Sequence, residues 1–151
     1  MTTLAMAKVR EEIAERLGLV RLDSERRWGR MTAHQMICHL SDSFRGVSGL
    51  KPLATRAGAF GGLMKWVALY LPMKWPHGFK TMPEVDQEIG GTRPVEFEGD
   101  VRELRRLLER FTRQPREFTF GRHPFFGAMT DGDWMRWGYL HMDHHFRQFG
   151  V

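Results

Sequence analysis

Two histidines one helical turn apart, His141 and His145, lie in the middle of the apolar stripe of the last helical segment of this chain. Residues at i and i+4 share a helix face, so both rings can point at one place. At about 100° per residue they are about 40° apart, flanked by Trp134, Trp137, Gly138, Gln148 and Phe149, and they therefore face a core. Asp143, Arg136 and Arg147 fall on the opposite face, which removes the nearest carboxylate from the candidate ligands, and His144 sits on the shoulder. Imidazoles in an apolar stripe are costly unless their nitrogens are satisfied. A metal ion shared by the pair would satisfy them.

The rest of the chain also reads as helix. Residues 4–17 alternate Leu4, Val9, Ile13 and Leu17 with charged positions, and Gly18 is placed to end that helix. Thr32 and Gln35 form a capping-box signature for a second helix, 32–48, with Met36, Ile37, Leu40, Phe44 and Val47 as its stripe. Asp100 is placed to cap a third, 99–113, which carries Val101, Leu104, Leu107, Leu108 and Phe111 and is closed by Pro115. Thr130 and Asp133 frame the fourth, 131–149. Strand-like alternation is brief, at 95–98 and 117–120. The expectation is an all-α, antiparallel four-helix bundle in a single domain spanning 1–151.

A connection of about fifty residues separates the second and third helices, long enough to need a structure or function of its own. Its middle, 60–72, is apolar, too short to span a bilayer and ends at Pro72. A short packing helix is the reading favoured over a membrane-surface segment, because Lys65 alone supplies little charge for lipid headgroups. Its apolar residues should pack on the bundle or bury a homodimer contact. From Trp75 to Thr92 the chain reads as loop wrapping the bundle.

Composition narrows the partners. The start of the chain carries no secretion signal, which points to the cytoplasm. Cys38 is the only cysteine, so neither an internal disulfide nor a Cys-rich zinc knuckle can form, and a bound metal must rest on histidine. The net charge of +5 is spread over helices that interleave arginine with glutamate, without a phosphate loop or nucleic-acid motif. Nucleic acid and membrane are not the expected partners; a small-molecule substrate is.

Two histidines leave a tetrahedral ion short of donors, so a third must come from another element. His39 and His34 are the candidates on the second helix. Each lies about 110° from the apolar centre, on opposite sides, and the helical wheel does not choose between them.

The segment Trp28-Gly29-Arg30-Met31-Thr32-Ala33-His34-Gln35-Met36-Ile37-Cys38-His39-Leu40 resembles the capped second helix of the DinB/YfiT-like family of metalloproteins, with its His-Leu pair. His141-x3-His145-x2-Gln148 is similar to the pattern on the last helix of that family, and the run at 123–130 followed by Trp134 looks like a subfamily with no established activity. The resemblance covers all four helices. It implies a divalent metal held by His39, His141 and His145, with His144 outside the ligand set. The connection after the second helix is longer and more apolar than in the simplest members, which implies a remodelled pocket mouth.

Three neutral imidazoles with an open position are the arrangement of a catalytic rather than a structural zinc, and nickel or iron could replace zinc. Such an ion acidifies bound water or a thiol. Similar proteins include transferases and isomerases dependent on a low-molecular-weight thiol, so the expected activity is that of a transferase or hydrolase. The alternative is a non-catalytic helical binding module with structural histidines. Asp42 and Gln148 are the polar neighbours placed to orient ligands. His77 reads as a solvent-exposed loop residue, His123 as a loop-ordering residue and Cys38 as a packing thiol.

Overall fold

A computed structural model describes residues 1–151. The chain is all-helical, in the order α1 (Ala7–Leu19), α2 (Ala33–Val47), α3 (Gly61–Tyr70), a 3-10 turn (Pro83–Val85), α4 (Phe97–Thr112) and α5 (Asp131–Gln148). It has no strand, only an isolated antiparallel bridge between His123 and Gly127. Residues 97 and 98 of the first strand-like stretch open α4 instead.

The capping boxes form as the sequence dictates. Thr32 accepts from the Gln35 amide while the Gln35 side chain accepts from the Thr32 amide, and Thr130 and Asp133 do the same for α5. Two other expected ends differ. Gly18 lies inside α1, which ends at Leu19. Glu96, not Asp100, caps α4 by accepting from the amides of Glu98 and Gly99. A glutamate is long enough to fold back on its own helix start, and this leaves the Asp100 carboxylate free to face α2.

One core of 23 buried apolar residues is drawn almost wholly from α1, α2, α4, α5 and their flanks. Helix α2 packs on α4 and α5, and α1 packs on α5. Val9, Ile13 and Leu17, four apart, form the buried edge of α1, while Leu4 precedes the helix, fully buried, its amide donating to the Met135 carbonyl. Phe44, Phe111 and Trp137 meet edge to face or tilted at the centre, with ring centroids 4.9 to 6.3 Å apart.

Gly138 permits that approach. A Cβ there would lie 2.7 Å from Leu4 Cδ1 and 3.1 Å from Phe111 Cε1. Overpacking should outweigh the helix propensity that alanine brings, so Gly138→Ala should lower stability by about 1–2 kcal/mol, read from the midpoint of urea unfolding.

Helix α3 departs from the bundle. It packs on α5, but Leu69 is its only contribution to the core, and Gly61 and Leu69 are its only buried residues. Its tie to α5 is polar: Lys65 and Tyr70 both reach the Asp133 carboxylate. Burial alone would raise the Asp133 carboxyl, but hydrogen bonds from Tyr70, the Thr130 amide and Lys65 outweigh it and bring it down to about 2. The expected packing helix therefore exists, but in the single chain most of its apolar side chains stay in water. No helix is long and apolar enough to cross a membrane.

Candidate metal centre

Helix α2 lies between α4 and α5, so its two flanks see different neighbours. This resolves the choice the helical wheel left open. His39 faces α5, and its ring lies 5.2 Å from that of His141 and 4.8 Å from that of His145, which are 5.0 Å from each other. Each ring offers one nitrogen, and the three lie within 4.8 Å of one another. His39 and His145 are buried and His141 is partly exposed.

Backbone and side-chain partners fix which nitrogens face inward. His39 Nδ1 lies 2.8 Å from the Val85 carbonyl, which can only accept, so Nδ1 carries the proton and Nε2 the lone pair. A similar chain of constraints acts on His145. The Trp28 carbonyl accepts from Gln148 Nε2 at 2.9 Å, which orients the amide and leaves Gln148 Oε1 to accept from His145 Nδ1 at 2.9 Å. His145 Nε2 is thereby left as a donor to a metal. Gly29, in the left-handed region at φ 77°, makes room for this arrangement, because a Cβ there would stand 2.6 Å from Gln148 Nε2.

Burial first of all, then the mutual repulsion of the rings, holds His141 and His145 well below the usual histidine range, and burial also lowers His39. All three are neutral, the state that binds metal. The His39 and His141 Nε2 atoms are 3.2 Å apart. Two nitrogens about 2.0–2.1 Å from a tetrahedral ion stand about 3.3 Å apart, so the spacing fits. His141 Nδ1 is buried without a partner. Its ring is flanked by Trp137 and Trp75, with centroids at 5.0 and 6.0 Å.

The other sequence candidates fall elsewhere. His34 faces α4, where Asp100 Oδ2 receives His34 Nε2 at 2.7 Å, the Val95 amide at 3.2 Å and the Cys38 thiol at 3.7 Å. This knot joins α2 to the first turn of α4. Burial, then the Asp100 charge, pushes the Cys38 thiol up to about 12, so it stays protonated, as a packing thiol should. His123 Nδ1 accepts from the amides of Phe125 and Phe126, ordering its loop. His77 is exposed but stacks on Trp28 at 3.9 Å, and His144 packs beside both.

Gln148 meets its expectation and Asp42 does not. Asp42 touches none of the three imidazoles; fully buried, it accepts from the Thr92 amide and hydroxyl, Lys51, Arg45 and Gln87. It acts one element away, anchoring the segment whose Val85 carbonyl orients His39. That carbonyl and the Trp28 carbonyl are functional groups the sequence reading missed, since a backbone oxygen carries no residue signature. Gln148→Leu should leave Trp28 O and His145 Nδ1 unpaired, and a divalent ion offered to the three histidines should then bind about 10- to 100-fold more weakly in a competitive chelator titration than it does to the parent.

No protein-family model, curated protein or solved structure matches the chain. The class these residues define is accordingly a helical protein whose His39, His141 and His145 could hold a metal ion.

Proposed function

We propose that the chain is a metal-dependent enzyme of the DinB/YfiT-like kind, an antiparallel bundle of α1, α2, α4 and α5 with one divalent ion, zinc first, on His39, His141 and His145. The observation that carries this reading is the convergence of three neutral imidazoles, two of them with Nδ1 pinned so that Nε2 faces the others. The pairings of α1 with α5 and α2 with α4 support the bundle.

When bound, a divalent ion at this place supplies Lewis acidity that lowers the pKa of a water or small-molecule thiol. The protein's part is positional. Val85 and Gln148 hold two rings in one tautomer, Trp137 and Trp75 limit water around the third, and the exposed edge of His141 marks the side of approach. Elemental analysis after zinc reconstitution should give about one ion per chain; a protein that takes up none overturns the reading. In cobalt-loaded protein, a small thiol should add a sulfur-to-cobalt charge-transfer band, and its absence would leave water as the activated group.

A further inference from the structure

Helix α3 and the segment after it leave a row of large apolar side chains in water. Phe60 is 75% exposed, Trp66 54% and Phe79 65%, with Leu63, Met64, Tyr70 and Met73 also exposed. Two further aromatic residues adjoin the helix: a Cβ on Gly61 would lie 3.0 Å from the Phe125 carbonyl, and the Phe125 ring meets that of Phe79 at 5.7 Å.

The charges carried by the segment itself are of one sign, while Asp133 and Glu84 from outside it reach Lys65, Tyr70 and the Ala54 amide. No acidic residue occurs from 43 to 83. Within the patch Lys65 is taken up by Asp133, but Arg56, Lys74, Lys80 and Arg122 are exposed and form no salt bridge. Arg56 and Arg122 sit beside the patch, as the Arg56 amide donates to the Pro124 carbonyl and a Cβ on Gly127 would lie 3.2 Å from Arg122. Exposed aromatic and aliphatic residues fringed by unpaired cations are complementary to an acyl boundary beneath anionic headgroups. A symmetric pairing of two copies would instead bring these cations together with no acid on the segment to offset them. The ten-residue helix is about 15 Å long, against about 30 Å of hydrocarbon, so it can lie in an interface but not span one.

We infer that this face docks the protein peripherally onto an anionic lipid surface, with Phe60, Leu63, Trp66 and Phe79 entering the acyl boundary and Arg56, Lys74, Lys80 and Arg122 at the headgroups. It departs from the sequence-based expectation of a helix packing on the bundle or in a homodimer contact. It is independent of the metal reading, because none of these residues is among the three histidines or their hydrogen-bond partners.

Co-sedimentation of the full chain with vesicles tests it. Phosphatidylglycerol-containing vesicles should carry down about tenfold more protein than phosphatidylcholine vesicles, and added salt should reduce the difference. Leu63→Ser with Trp66→Ser should abolish sedimentation, Lys80→Glu should weaken it, and neither change should alter the far-UV spectrum, since all three side chains are exposed. His145→Ala should bind vesicles as well as the parent. Sedimentation with neither vesicle, or equally with both, overturns the inference. So does a dimer in light scattering that the Leu63 and Trp66 changes dissociate while vesicles bind nothing, which would assign the face to a second copy.

Discussion

Replacing His145 by Ala should strip the protein of stoichiometric metal while leaving its helices in place. His145 is one of three candidate donors, its ring is oriented by Gln148, and no carboxylate belongs to the group. The remaining pair cannot fill a tetrahedral set. Helix content should survive because the core of 23 apolar residues does not include the triad. Inductively coupled plasma measurements should fall from about one ion per chain to background, and His144→Ala should leave the stoichiometry unchanged, since His144 lies outside the triad. Retention of full metal in the His145 variant with loss in the His144 variant would show that the site has been read in the wrong register. Thermal unfolding offers a second readout. Free metal at about a thousand times Kd stabilises by about 4 kcal/mol, so a chelator should lower the midpoint of the parent and leave the variant where it was.

Asp42→Ala should be the most damaging change to stability outside the apolar core. The carboxylate is fully buried and receives five side-chain or backbone donors, among them Lys51 at 3.0 Å and the Thr92 amide at 2.6 Å. Removing the carboxylate leaves the buried Gln87 amide without this acceptor, while Thr92, Lys51 and Arg45 reach water, so the loss should be about 1–3 kcal/mol in urea unfolding. The same network sets an acid limit. Burial alone would raise the Asp42 carboxyl, but the Thr92 and Lys51 contacts outweigh it and hold it below its ordinary 3.8; Asp133 is held down in the same way, at about 2. A depressed folded pKa contributes stability that is present above the unfolded value and lost as pH falls through the folded one. Unfolding free energy should therefore decline from near pH 4 toward pH 2, more gently in the Asp42 variant than in the parent.

How much of this was legible depended on how local each signal was. The capping boxes at Thr32 and Thr130 act within one turn, and α2 and α5 begin where those residues predict. The start of α4 was misplaced because Glu96 is an uncommon cap and Asp100, the commoner type, is turned toward His34. The shared face of the histidine pair on α5 was readable from spacing alone. Choosing His39 over His34 required knowing that α5 lies on one flank of α2 and α4 on the other, which no window along α2 contains. The exposure of α3 was hidden for the same reason: an apolar stretch reads as buried until the surface it would cover is known to be already full.

The pinned rings also depend on partners far apart along the chain. His39 meets a carbonyl 46 residues ahead of it and an imidazole 102 residues ahead, and Gln148 closes on a carbonyl 120 residues behind it. Closing such loops costs entropy that only a largely formed structure offsets, so the histidines are expected to meet late in folding, which phi values near zero at these positions would show. Interactions made after the folding barrier change the rate of escape from the native state, not the rate of reaching it. An ion held there would leave refolding at its own pace and act by prolonging the lifetime of the folded chain.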